Sequence, residues 1–167
     1  MKLVLYNDFQ PGILKGNTVV NTESSVGHLR GDSPQELMQN IISNFDSLRP
    51  ALERLEQEGQ GVPASSIRLR PPLPCPPRLV CMAGNYMENG TRAEAGPLAA
   101  FNKASSSIIG DGDTVVLPDA PATVFEHEAE LGIVIGKRAS GIKAEEAYDH
   151  IFGYMNFIDV SCRGAGP

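Results

Sequence analysis

The sequence lacks any excess of basic residues. Lys and Arg number 14 against 20 Asp and Glu, leaving a net charge of −6. Phosphate binding needs clustered Lys and Arg, so nucleic acid is excluded as a partner. Long apolar runs are also missing. None approaches the roughly 18 residues of a membrane span, so no membrane partner is expected. The stretch Met1–Asp8 is too short and too polar for a signal peptide. Cysteine is scarce: Cys75, Cys81 and Cys162 make an odd set with no CxxC. They read as reduced thiols of a cytoplasmic protein, neither a disulfide framework nor a zinc site. Tryptophan is absent, aromatic residues are only 6%, and no internal repeat or low-complexity tract occurs. What is present is a hydrophobic fraction of 41% over 167 residues, enough to bury a core. That length suits one medium domain, or a small domain joined to part of another. Seventeen glycines and 13 prolines are too many for a helix bundle.

Residues 1–70 read as a small α+β unit. Strands are expected over Lys2–Tyr6, at Ile13–Leu14 after a Pro11-Gly12 turn, and over Thr18–Val20 after a Gly16-Asn17 turn. A helix starts at Ser33 as N-cap, with Pro34 at the first helical position and Glu36 completing a capping box. Leu37, Ile41, Phe45, Leu48, Leu52 and Leu55 recur at helical spacing, and Pro50 predicts a kink or a second helix. Residues 71–77 form a stiff proline-rich linker. Beyond it, Arg78–Ala83 reads as a buried strand and Met87–Leu98 as a mobile loop. Residues 114–117 read as a strand after a Gly110–Asp113 turn. Val124–Ile135 is the longest strand candidate, residues 144–151 a short helix, and a last strand runs from Tyr154 to Ser161.

The chemistry concentrates in Glu126-His127-Glu128-Ala129-Glu130-Leu131-Gly132-Ile133-Val134-Ile135. On a strand, alternate residues share a face, so Glu126, Glu128 and Glu130 point one way. Phe125, His127, Ala129, Leu131, Ile133 and Ile135 point the other, which makes His127 a core or interface residue; His150 reads as an exposed helix residue. Three acids in a row are either a solvated face or a cation site. Glu130 leads into an apolar run that reads as buried on both faces, and a buried carboxylate needs a partner. Lys or Arg can serve, and so can a divalent cation; an oxygen-only set suits Mg²⁺, Mn²⁺ or Ca²⁺ better than Zn²⁺. Asp159 lies in a second apolar segment, either paired with Arg163 or joining Glu128 and Glu130 as a third oxygen ligand.

These residues resemble a known family. Gly84-Asn85-Tyr86, Phe101-Asn102-Lys103, Ser106–Gly110, Glu128-Ala129-Glu130-Leu131 with Ile133–Lys137, and Phe152-Gly153-Tyr154 followed by Asp159-Val160-Ser161-Cys162-Arg163 match the fumarylacetoacetate hydrolase family in order and spacing. The likeness is dense from about residue 70 to 163. It implies an α+β fold with a mixed β-roll catalytic domain, of which residues 78–167 are the first part, incomplete at the C-terminus. It also implies a homodimer. The matching positions place Mg²⁺ or Mn²⁺ on Glu128, Glu130 and Asp159, catalytic roles on Lys103 and Arg163, and substrate contacts on Tyr86, Asn89, Lys103 and Arg163. Substrates of the family are small 2-oxo and β-diketo acids, handled by hydrolysis, decarboxylation, isomerisation or hydration through an enolate that a cation and a nearby Lys or Arg stabilise.

Three departures qualify the expectation. Hydrolytic members carry a histidine where this chain has Asn89, and asparagine cannot act as a general base. That shifts weight from C–C hydrolysis to proton-shuffling reactions. After Arg163 the family's acidic and polar substrate contacts give way to Gly164-Ala165-Gly166-Pro167. The family pattern also continues well past Pro167, with strands that close the roll. The chain is therefore a fragment, one of two subunits, or a truncated, non-catalytic member that binds a metal or small acid without turnover. Alone, it is expected to turn over little.

Overall fold

The computed structural model describes residues 1–86, 97–119 and 121–164. The chain divides into two compact units, Met1–Asp113 and Thr114–Pro167. Together their elements make an α+β protein.

The first unit is built on an antiparallel sheet. Its strands are β1 (Leu3–Tyr6), β2 (Gln10–Lys15), β3 (Thr18–Asn21), β4 (Val62–Pro63) and β5 (Leu69–Arg70), in the order β4-β3-β2-β1-β5. The Gly16-Asn17 turn joins β2 to β3 as expected, with Lys15 opposite Thr18 and Gly16 at a φ of 56°. The first reversal is not at Pro11-Gly12, which lie inside β2. It falls at Asn7–Phe9, where Asn7 and Phe9 adopt φ of 49° and 57°. Asn tolerates that region because its short polar side chain bonds locally. Here the Asn7 Oδ1 accepts the Arg68 backbone N–H at 2.9 Å, and its carbonyl accepts Arg70 Nε–H at 2.7 Å.

A short turn of helix, α1 (Glu23–Val26), precedes α2 (Pro34–Ser43) and α3 (Phe45–Glu58). Ser33 caps α2 through its Oγ, which accepts the Glu36 N–H at 3.2 Å. The returning bond of the capping box is displaced by one residue, since Glu36 Oε2 accepts from Asp32 N–H at 2.6 Å. The helix break expected at Pro50 occurs at Asn44 instead. Asn44 leaves helical geometry, its side chain donates to the Asn40 carbonyl, and Pro50 is carried inside α3. Asn competes with the backbone for these bonds, which favours it at helix ends. The apolar face closes on the sheet: Leu5, Ile13, Val26, Leu37, Met38, Ile41, Leu48 and Leu52 form one buried cluster.

Two further strands of this unit, β6 (Leu79–Ala83) and β7 (Ala99–Lys103), pair antiparallel. The sequence reading located β6 but not β7. It also took β6 as buried, whereas Val80 is more than half exposed. Residues 114–117 form no strand; β-propensity without a paired neighbour does not make one.

The second unit is a long antiparallel ribbon of β8 (Val124–Ile135) and β9 (Ile151–Arg163), joined through a 3-10 segment at Ala144–His150. The expected limits of β8 match, and β9 extends past the expected span at both ends. The ribbon runs in register from Val124↔Arg163 to Val134↔Gly153, with an irregularity before Ile135↔Ile151. At its open end, Thr123 N–H donates to the Arg163 carbonyl at 3.0 Å. Gly164 turns the chain away at a φ of 71°. His150, expected to be exposed, is half-buried, and its carbonyl accepts the Gly136 N–H at 2.8 Å.

Candidate functional site

Register decides which side chains of the ribbon meet. Residues directly opposite in an antiparallel pair point to the same face, and the face alternates along each strand. Glu126 stands opposite Ser161, Glu128 opposite Asp159, and Glu130 opposite Phe157. Glu126, Glu128, Glu130, Asp159, Ser161 and Arg163 therefore share one face. Directly opposed Cβ atoms lie about 4.5–5.5 Å apart, so Glu128 and Asp159 are immediate neighbours.

This is the more covered face. Asp159 is only 4% exposed, and the three glutamates are half-buried. On the other face Leu131, Ile133 and Ile135 are 57, 54 and 61% exposed, and His127 is exposed too. That exposure overturns the expectation that the apolar run is buried on both faces and, of the two readings of His127, excludes the core one. A two-stranded ribbon has no second layer of its own to cover an apolar face. Gly132 lets the Met155 side chain lie across it: a Cβ there would stand 2.8 Å from Cγ of Met155, the residue opposite.

Arg163 spans two of the three glutamates. Its Nε–H donates to Glu126 Oε2 at 2.8 Å and its Nη2–H to Glu128 Oε1 at 3.2 Å. Ser161 Oγ–H donates to the other Glu128 oxygen, Oε2, at 2.9 Å. The hydrogen bond to Glu126, then the charges of Glu126 and Glu128, hold the Arg163 guanidinium above its ordinary pKa. A row of like charges on one face is thus partly neutralised from the facing strand. Ser161 and Glu126 had no assigned role in the sequence reading. The signal available was parity: Asp159, Ser161 and Arg163 occupy alternate positions of one strand, as do the three glutamates of the other.

The donor set fits a hard divalent cation. Three carboxylates on one face offer oxygen ligands only, and one of them is buried. Among the described residues no three His, Cys, Asp or Glu side chains are gathered as a ready-made cage. Glu128, Glu130 and Asp159, on one face of the ribbon, are the oxygen donors available to such an ion. Of the remaining candidates, Tyr86 is about half exposed just beyond β6, and Lys103 is half-buried at the end of β7. Both belong to the first unit. Asn89 and most of the loop expected to be mobile, Met87–Leu98, lie outside the described residues.

The family model described as fumarylacetoacetate (FAA) hydrolase C-terminal matches residues 78–165. A mitochondrial oxaloacetate tautomerase of Xenopus laevis is 36% identical over 134 residues, 78% of this chain and 41% of that protein. The maleylpyruvate hydrolase of Aquipseudomonas alcaligenes is 26% identical over 180 residues, covering 98% of this chain and 62% of that one. Among solved structures, a maleylpyruvate hydrolase from Sphingobium sp. SYK-6, in complex with manganese(II) and pyruvate, superposes with a TM-score of 0.86 at 28% identity. That match covers 98% of this chain and 60% of the other. The chain thus spans less than two thirds of the length of these relatives.

Proposed function

The chain belongs to the fumarylacetoacetate hydrolase family, and from that premise we propose that it contributes the cation-binding face of an enzyme acting on a small 2-oxo or β-diketo acid. The observation that carries this reading is the register: Glu128 and Asp159 directly opposed, Glu130 on the same face, and Arg163 at the rim. Residues 78–167 are read as the first part of a β-roll catalytic domain, following a 1–70 unit and the 71–77 linker; the family match starts at Arg78.

The site's roles divide by chemistry. Glu128, Glu130 and Asp159 hold Mg²⁺ or Mn²⁺, with Ca²⁺ a weaker fit. When bound, the ion polarises the 2-oxo group and offsets the negative charge that develops on its oxygen. Arg163 contributes fixed positive charge toward the acid head of the substrate and the same developing charge. Lys103 is proposed as a further basic catalytic residue on its match to the family's Phe-Asn-Lys motif alone. Tyr86 and Asn89 are substrate contacts. Asn89 can orient a water or a carbonyl oxygen but cannot accept a proton from water. Tautomerisation or decarboxylation is therefore favoured over C–C hydrolysis, in keeping with an oxaloacetate tautomerase among the relatives.

The exposed apolar face of the ribbon supports a homodimer. No helix among the described residues is long and apolar enough to cross a membrane. Cysteines that form no disulfide, Cys75, Cys81 and Cys162, support the reading of a cytoplasmic protein.

Mn²⁺ titration followed by electron paramagnetic resonance tests the site, because the whole carboxylate set lies in one ribbon. Saturable 1:1 binding that Asp159→Asn abolishes is expected. Absence of binding by the wild-type chain overturns the reading. Enol–keto conversion of oxaloacetate, read by ultraviolet absorbance, tests the reaction. Mn²⁺ binding without turnover on any 2-oxo acid, by a protein that carries the whole family domain, supports the alternative of a non-catalytic member.

A further inference from the structure

We infer that Glu126 is a positioning residue. It anchors Arg163 beside the cation face, so that Arg163 can release Glu128 to a divalent ion without leaving the site. The inference rests on the proposed cation site. Its starting point is the unequal grip of Arg163 on its two acids. The Nε bond to Glu126 is 2.8 Å, whereas the Nη2 bond to Glu128 is 3.2 Å. Charge-assisted N–H···O bonds favour about 2.7–2.9 Å, so Glu126 is the firm partner and Glu128 the loose one.

The two oxygens of Glu128 are committed differently. Oε2 accepts from Ser161 Oγ–H, a neutral donor on the facing strand at 2.9 Å. Oε1 is the oxygen that Arg163 holds. A cation approaching Oε1 meets a guanidinium of like sign and must displace its Nη2. Were Arg163 tied to Glu128 alone, that displacement would leave a cation with no acid to pair with. Glu126 removes this penalty. The backbone of Arg163 is meanwhile pinned by the bond from Thr123 N–H to its carbonyl, so only the side chain needs to shift. The freed Nη2 then faces the same side of the ribbon as the ion, where an acidic substrate group needs a donor. The first glutamate of the run thus serves as the holder of the arginine, not as a ligand.

The test is a double-mutant cycle on Mn²⁺ affinity, read by electron paramagnetic resonance of the free ion, with Glu126→Gln, Arg163→Gln and both together. Arg163→Gln should tighten Mn²⁺ binding by about three- to tenfold, since a competing cation is lost. Glu126→Gln should weaken it by a similar factor, because Arg163 then falls back on Glu128. In the Arg163→Gln background, Glu126→Gln should change affinity by less than about twofold. Simple long-range attraction by the Glu126 charge predicts the opposite ordering, with the larger effect once Arg163 no longer masks it. That ordering, additivity, or weaker binding by Arg163→Gln overturns the inference while leaving the cation site standing. No Mn²⁺ binding by the wild type removes the site itself. Circular dichroism of the three variants, expected to be unchanged, separates these results from misfolding.

Discussion

If the proposed homodimer forms through the apolar face of the ribbon, replacing Ile133 by lysine should disperse it. Ile133 lies on the face opposite the acids, 54% exposed, with Leu131, Ile135, Tyr154 and Ile158 around it at similar or greater exposure. In register, Ile133 faces Tyr154 and Ala129 faces Ile158, so the patch is continuous across both strands. Fully burying an isoleucine side chain is worth about 1.5–3 kcal/mol. About half of it remains to be buried here, which leaves about 0.8–1.5 kcal/mol per copy. A two-fold interface counts each residue twice, giving about 1.5–3 kcal/mol for Ile133. At 1.4 kcal/mol per factor of ten, Ile133→Lys should weaken association by about 10- to 150-fold, and more if the ammonium group is desolvated. Folding should hardly change, because exposed substitutions usually move stability by within about 0.5 kcal/mol. Sedimentation velocity over a hundredfold concentration range reads the effect, with Glu145→Lys in the connecting segment as a control expected to change nothing. A wild-type chain that is monomeric throughout, or an Ile133→Lys variant that associates equally well, refutes the reasoning.

Glu128→Gln and Asp159→Asn should each lower Mn²⁺ affinity by more than about 100-fold, since loss of a mere supporting partner already costs about 10–100-fold; calorimetric titration checks this. Asn89→His should raise acylpyruvate hydrolysis, by up to the about 10²–10⁴ attributed to a positioned base, measured as loss of substrate absorbance. The Glu23 carboxyl is held below its ordinary pKa chiefly by its hydrogen bond from Arg30, at 2.6 Å between Oε2 and Nη2. A lowered folded-state value gives stability that is present above the usual glutamate range and lost as pH falls through the lowered one. Both groups are over a third exposed, so Glu23→Gln should cost only about 0.2–1 kcal/mol at neutral pH and nothing at low pH, by urea unfolding. Leu52→Ala, at a fully buried core position, should cost about 2–5 kcal/mol in the same assay.

The local code of this chain was legible residue by residue. Ser33, Pro34 and Glu36 announced a helix start because capping is a contest over a few backbone N–H groups, settled within four residues. The Gly16-Asn17 turn and the limits of β8 were legible for the same reason. Strand parity alone placed Glu126, Glu128 and Glu130 on one face. The ordered motifs from Gly84 to Arg163 carried the family likeness that the match over residues 78–165 establishes.

Tertiary structure decided what no local signal contains. Asn44 rather than Pro50 ends α2: Asn44 leaves helical geometry with its side chain donating to the Asn40 carbonyl, and proline is carried inside α3 six residues later. The turn fell at Asn7–Phe9 because Arg68 and Arg70, over 60 residues away, supply the bonds that hold it. Whether an apolar strand is buried depends on whether another layer covers it, and among the described residues Leu131, Ile133 and Ile135 stay more than half exposed. Above all, the sequence contains Glu128 and Asp159 31 residues apart without stating their register. A slip of one residue would have sent them to opposite faces. The hydrogen bonds of the ribbon, from Val124↔Arg163 onward, put those two carboxylates side by side and hung Arg163 between Glu126 and Glu128.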